Sequence, residues 1–208
     1  MIKTYKILSL LLSYPNQDVM DFMVEIPENL SEEGILNTRQ IDNIQKFIDA
    51  FKSDEIETWQ EHYVQLFDYS RAVSLHLFEH VYGESKDRGQ AMVDLISFYA
   101  EDGLEIKTSE LPDYLPAFLE FLSMTKNESV ASEVLSEIAH IISKIHDKLK
   151  GMDNPYQHLL EAVLSLSARE PDPKLVDSLN QMEKPVDLDK EYEEEPVRFG
   201  ENNNCNIC

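Results

Sequence analysis

Two histidines four residues apart with a glutamate beside the second, His76-Leu77-Phe78-Glu79-His80, spell H-x-x-E-H. On a helix, such histidines share one face and ligate zinc while the glutamate activates a metal-bound water, which is the chemistry of a metal-dependent peptidase. A third ligand is required, and Glu84, Glu120 and Glu161 stand as equal candidates. The helical pattern of the chain also lacks the mixed α/β frame of that peptidase class. A second motif, Cys205-Asn206-Ile207-Cys208, has the C-x-x-C spacing of metal-binding and dithiol sites. One such pair supplies only half of a zinc shell. It mimics a C-a-a-X box as well, but Asn206 is not aliphatic and the run EYEEEP upstream is acidic rather than basic. Ser74 lies near His76 without a G-x-S-x-G elbow, and there is no glycine-rich phosphate loop, so neither acyl transfer nor nucleotide hydrolysis is indicated.

The remaining concentration of chemistry lies in the same stretch, residues 61–92. Arg71, Lys86 and Arg88 stand beside Asp68, Glu79, Glu84 and Asp87. Ordinary salt bridging that fastens loops to helices accounts for such charges. The functional reading makes them the polar rim of an aromatic groove built from Tyr63, Phe67 and Phe78, a surface suited to an amphipathic helix or an extended peptide.

Charge narrows the partners. The 208 residues carry 18 basic and 40 acidic side chains, a net charge of -22, and a field of that sign repels phosphate backbones and anionic lipid heads. Nucleic acid is excluded as a partner on this ground, whereas a basic peptide would be attracted. No run of about 18 apolar residues is present, so no membrane insertion is expected. The start, MIKTYKILSLLLSYP, resembles a signal peptide, but Tyr14 and Pro15 occupy the place of a small-residue cleavage site, and a core helix is the better reading. Both cysteines lie within the last four residues and cannot staple a core, which points to a reducing compartment.

The elements that must hold these residues read as helices throughout. Ile7, Leu8, Leu11 and Leu12 form one apolar face, and residues 18–26 read as a short helix ending at Pro27. Thr38 is placed to cap a helix bearing Ile41, Ile44, Phe47, Ile48 and Phe51, and Asp54 the next, with Ile56, Trp59, Tyr63 and Leu66 in one stripe until the pattern breaks at Asp68. Ser85 caps a helix through Tyr99, with Gly103 placed to close it, and Pro116 fits the first turn of another. In residues 127–150, Val130, Val134, Ile138, Ile141, Ile145 and Leu149 face inward while Glu133, Glu137, Lys144 and Lys148 face water, and Gly151 ends the helix. Pro155 opens a last helix. The expected fold is all-α, a compact single-domain bundle of about seven to nine helices over residues 1–168. Residues 169–208, acidic, poor in apolar side chains and punctuated by four prolines, read as a mostly disordered tail.

YVQLFDYSRAVSLHLFEHVYGESKDRGQAMVDL, together with LPDYLPAFLEFLS in the expected order and spacing, resembles the signatures of the NarJ family of nitrate reductase assembly chaperones. That family belongs to the all-helical redox-enzyme maturation chaperones, with the TorD and DmsD proteins. The likeness covers about residues 1–168 and is strongest over residues 61–123. It implies a cytoplasmic, non-catalytic chaperone, monomeric or dimeric and without a cofactor of its own. The implied partner is the apo form of the nitrate reductase catalytic subunit, bound chiefly by its N-terminal segment until molybdenum cofactor and iron–sulfur cluster are inserted, before membrane docking. The class patterns Y-x-x-L-F and D-[HY]-x-x-x-x-L-E-F fall on Tyr63, Leu66 and Phe67 and on Asp113, Tyr114, Leu119, Glu120 and Phe121. By this resemblance Tyr63, Leu66, Phe67 and Leu119 give apolar contact to the client, Asp113 and Glu120 meet its basic groups and Tyr114 belongs to the site, which Phe78 of the aromatic groove and Arg71 of its rim complete.

Overall fold

A computed structural model describes residues 1–83, 85–101, 110–125 and 127–182. Among them every regular element is helical, and the only pairing of extended backbone is an isolated antiparallel bridge between His76 and Tyr114.

The first helix, α1 (Lys3–Leu12), buries Ile7, Leu8, Leu11 and Leu12 as the apolar spacing requires, and it packs along α8 (Leu115–Met124). Helix α2 (Gln17–Phe22) passes through a 3₁₀ turn, Met23–Glu25, into α3 (Ile26–Glu33). Pro27 therefore starts a helix instead of ending one. It occupies the first turn of α3, where its missing N–H costs no hydrogen bond. Gly34, at φ 72°, closes α3 in the left-handed conformation that glycine adopts without strain.

Helix α4 (Thr38–Phe51) begins with a capping box one residue before the expected cap. The Gln40 N–H donates to Asn37 Oδ1 at 3.1 Å, and the Asn37 N–H donates to Gln40 Oε1 at 2.7 Å. Helix α5 (Ile56–Tyr63) follows, with Glu55 rather than Asp54 at the N-cap and no side-chain cap bond. Phe47, Phe51, Trp59 and Tyr156 form the aromatic centre of the core. Phe51 stacks on Trp59 at 5.5 Å, and Trp59 Nε1–H donates to the Tyr156 hydroxyl at 2.8 Å, so the buried indole leaves no donor unpaired.

Helices α6 (Glu79–Tyr82) and α7 (Asp87–Glu101) come next, and the Asp87 N–H donates to Ser85 Oγ at 3.2 Å, as the capping reading of Ser85 requires. Gly103 and Glu84 lie outside the described residues. The long α9 (Glu128–Gly151) and α10 (Gln157–Ser165) pack against each other, and α10 also covers α4. Gly151 is the last residue of α9, and Met152 is its C-cap.

Three features of this region depart from the sequence reading. Val130, assigned to the inward face of α9, is 48% exposed, because it lies in the first turn of the helix and the buried stripe begins at Ala131. Lys144, assigned to the watered face of α9, is 1% exposed. The helical body also continues past residue 168: α11 (Pro173–Met182) packs on α9 and buries Leu179. Asp172 Oδ1 accepts the Lys174 N–H at 2.9 Å to cap it. The link before α11 is fastened by the Ala168 N–H to the Ser132 carbonyl at 3.2 Å and by Arg169 to Glu133 at 2.9 Å and to Glu137. Local composition underrates this helix because it has few apolar residues and borrows a surface from α9. Among the described residues no helix is long and apolar enough to cross a membrane. Cys205 and Cys208 lie outside them.

Candidate functional site

The chain leaves α5 through a π-helical turn, Val64–Asp68, and then irregularly through a 3₁₀ turn, Arg71–Val73. A π turn is uncommon and tends to mark functional positions. Here it keeps Tyr63 and Phe67 inward, their rings 4.8 Å apart, with Phe67 edge-on to Tyr156 at 4.9 Å. On the outside, Val64, Gln65 and Tyr69 line a groove of about 360 Å³ with Tyr14, Glu57, Gln60 and Glu61. Tyr14 is 50% and Tyr69 82% exposed, and the Tyr14 ring stands edge-on to Tyr63 at 5.7 Å. The groove thus combines two exposed aromatic rings with two carboxylates.

Behind the groove lies a polar latch. The Tyr63 hydroxyl donates to the Leu12 carbonyl at 3.0 Å, which leaves the Tyr114 hydroxyl to donate to Tyr63 at 2.6 Å. Burial pushes the Tyr114 hydroxyl up to about 12 and raises that of Tyr63 further, so both stay neutral donors. Residues 74–78 are tied to residues 111–115 by the Leu77 N–H to the Asp113 carbonyl and the Leu115 N–H to the Leu75 carbonyl, both 2.9 Å. Asp113 is wholly buried at their junction. Its carboxylate accepts the Phe78 N–H at 3.0 Å and His76 Nδ1–H at 3.4 Å, with Arg88 Nη2 at 3.7 Å. The hydrogen bond to Asp113 raises the His76 pKa above its ordinary value.

This arrangement removes the geometric premise of the zinc reading. His76 sits in extended backbone before α6, so it and His80 share no helical face. His80 Nε2–H donates to the Ser74 carbonyl at 2.8 Å, and Glu79 pairs with Arg88 at 3.3 Å. Of the third-ligand candidates, Glu120 pairs with Lys6, and Glu161 accepts from Asn43 Nδ2–H at 3.0 Å. Among the described residues no group of three His, Cys, Asp or Glu side chains is arranged to hold a metal. Ser74 Oγ accepts the His76 N–H at 3.2 Å.

On another face of the same stretch, Arg71, His80, Lys144 and Lys148 line a cavity of about 740 Å³ together with Glu79, Val81, Tyr82 and Met182. A smaller recess of about 280 Å³ adjoins it, where Arg71 and Glu79 meet Arg88. Lys144 and Lys148 were missed as members of a site because their spacing on α9 resembles a solvated stripe.

The residues expected to bind a client fall into three groups. Tyr63, Phe67, Leu119 and Asp113 are buried. Leu66, Phe78, Tyr114 and Glu120 are half-buried, and Arg71 is exposed. They line no single open groove: the buried aromatics form the floor beneath Tyr14, while the charges of Asp113 and Glu120 are taken up by His76, Arg88 and Lys6. The exposed rings and carboxylates of Tyr14, Tyr69, Glu57 and Glu61 were not singled out from sequence. A usable signal was present, since Tyr14 precedes a helix-ending proline and Tyr69 follows the break at Asp68.

The arrangement of helices is shared with a crystal structure of a candidate redox enzyme maturation protein from Archaeoglobus fulgidus, with a TM-score of 0.52 and 24% identity, covering 77% of this chain and 89% of that one. This likeness defines the fold class. A family model described as nitrate reductase delta subunit matches residues 36–161, and the chain belongs to that family. It is similar to the nitrate reductase molybdenum cofactor assembly chaperone NarJ of Escherichia coli (strain K12), 36% identical over 96% of this chain and 86% of the relative. It is also similar to a candidate NarJ of Bacillus subtilis (strain 168), 29% identical over 78% of this chain and 86% of the relative.

Proposed function

We propose that this protein is a non-catalytic chaperone for assembly of a nitrate reductase, acting in the cytoplasm on the apo catalytic subunit through that subunit's N-terminal segment before molybdenum cofactor insertion. The observation that carries the reading is the 36% identity to a NarJ chaperone over 96% of the chain. In this reading the client segment lies in the groove of Tyr14, Glu57, Glu61, Val64 and Tyr69. Tyr63, Phe67, Tyr114 and Leu119 support it from beneath, and Leu66 and Phe78 extend the contact surface, whereas Arg71 lines the cavity on the other face. The exposed carboxylates suit a basic amphipathic peptide, which the net charge of -22 also attracts.

Calorimetric titration of a synthetic peptide of the catalytic subunit's N-terminus tests this. Burying a large apolar side chain is worth roughly 1.5 to 3 kcal/mol, so Tyr69→Ala should weaken binding by about tenfold or more. Glu57→Gln with Glu61→Gln should weaken it further and flatten its dependence on salt. Equal affinities in all variants would remove this groove, and no binding to the native protein would remove the client assignment.

A further inference from the structure

The cavity of about 740 Å³ gathers three cationic side chains, Arg71, Lys144 and Lys148, in a chain with 18 basic side chains against 40 acidic ones. Arg71 enters from its 3₁₀ turn, Lys144 and Lys148 from α9, and residues 79–83 supply the remaining wall. Among the described residues the one carboxylate on this lining is Glu79, and Arg88 pairs with it at 3.3 Å. Residues four apart on a helix stand about 6 Å from each other on one face, so Lys144 and Lys148 bring two ammonium groups to the cavity one turn apart. Like charges so placed repel each other, and Lys144, 1% exposed, has little water to screen it. Arg71, His80, Lys144 and Lys148 each already hold an interaction within the chain, so an anionic ligand here joins a network instead of filling a vacancy.

We propose that this cavity binds a small molecule carrying a diphosphate group, held by Arg71, Lys144 and Lys148. A guanidinium offers paired N–H donors that match two phosphate oxygens, and ammonium groups bind phosphate as point charges. One phosphate ester carries about 1.5 to 2 negative charges at neutral pH, so a linked pair comes nearer to balancing three cations. The volume lies within the range of about 300 to 1,000 Å³ found for small-molecule sites, and Val81 and Tyr82 give it an apolar side. Size also selects the ligand. The net charge of -22 repels a nucleic acid or an acidic protein surface as a whole, whereas a molecule that enters the cavity lies within a Debye length, about 8 Å, of its basic lining. The cavity shares none of its described lining with the groove of Tyr14 and Tyr69, so this inference stands apart from the client assignment.

The test titrates inorganic pyrophosphate into the full chain by calorimetry. One site per chain with a Kd below about 1 mM is expected, and amide exchange should slow in residues 71–83 and 144–149. Arg71→Gln and Lys148→Gln, each checked for folding by circular dichroism, should weaken binding by about tenfold or more, as the loss of one charge-assisted hydrogen bond requires. Lys150→Gln removes the same charge from an exposed position of α9 off the cavity, and should change the affinity by less than about twofold. Benzyl diphosphate tells two sources of the group apart: a gain of about fivefold or more over pyrophosphate assigns the site to an organic diphosphate packed on Val81 and Tyr82, and equal affinity assigns it to the free anion. Both outcomes support the site. Citrate binding as tightly as pyrophosphate, or a hexaglutamate peptide binding more tightly, would assign the cavity to carboxylates and overturn the proposal. Absent saturation, protection confined to other segments, or an equal loss with Lys150→Gln would overturn it as well.

Discussion

Asp113 offers the sharpest separation between a residue that touches a client and one that builds the surface. It is wholly buried and accepts the Phe78 N–H at 3.0 Å and His76 Nδ1–H at 3.4 Å, with Arg88 at 3.7 Å. Asp113→Ala strands a backbone donor that was bonded to a charged acceptor, which costs about 1.5 to 3 kcal/mol. It also strips His76 and Arg88 of their shared counter-charge. Removing one partner of a fully buried pair costs about 3 to 5 kcal/mol, but His76 and Arg88 are both partly solvated, so the total expected here is about 3 kcal/mol. For a chain of this length that lowers Tm by about 6 to 12 °C. Asp113→Asn keeps an acceptor for the Phe78 N–H and should lose about half as much. Urea unfolding followed by circular dichroism measures both. Client affinity, measured where each variant is still folded, should fall with an unchanged salt dependence, because the carboxylate faces the chain's own groups. An Asp113→Ala protein within 1 kcal/mol of the native one, or a salt dependence lost along with the carboxylate, would refute the latch and return Asp113 to the client surface.

Phe67→Ala should destabilise the protein by about 3 to 5 kcal/mol in the same unfolding assay, since the ring packs on Tyr63 and Tyr156 within the core. Weakened client binding in that variant therefore reports folding as much as contact. His76 has a raised pKa in the folded state, so its contribution to stability is fully present below its unfolded value and is lost as pH rises through the folded one. The stability difference between the native protein and His76→Gln should accordingly be larger at about pH 6 than at about pH 8.5, and a difference that grows with pH would contradict the His76–Asp113 bond. Asn37→Ala removes the capping box of α4 and should cost about 1 kcal/mol with no change in client affinity. Leu179→Ala should loosen α11 from α9, costing about 2 to 4 kcal/mol if the domain includes that helix and nothing measurable if it ends at residue 168.

Much of the scaffold was legible in the order of residues. The spacing of Ile7, Leu8, Leu11 and Leu12, of Ile41, Ile44, Phe47, Ile48 and Phe51, and of Val130, Val134, Ile138, Ile141, Ile145 and Leu149 predicts buried helical faces; most of these residues are buried, Ile41, Val134 and Ile138 are half-buried, and Val130 is exposed. Helical periodicity is a local property, so it survives without knowledge of any partner element. The irregular course after Asp68 and the start of a helix at Ser85 are local as well, as is the pair of signatures that marks the family.

What a local pattern cannot state is which elements meet. Asp113 reads as a charge available to a client until the extended segment around His76 is laid beside it and its carboxylate is consumed by an N–H, an imidazole and a guanidinium. Lys144 reads as a solvated residue of α9, yet the turn bearing Arg71 covers that side of the helix and leaves the lysine 1% exposed. Histidines four apart suggest a shared helical face, and a bridge to Tyr114 places His76 outside the helix. The sequence by itself determined the helical class, the family and the stretch that matters, because side-chain period and motif order are written along the chain. Tertiary structure alone decided which residues of that stretch are floor, latch or surface, because burial and charge compensation depend on groups distant in sequence.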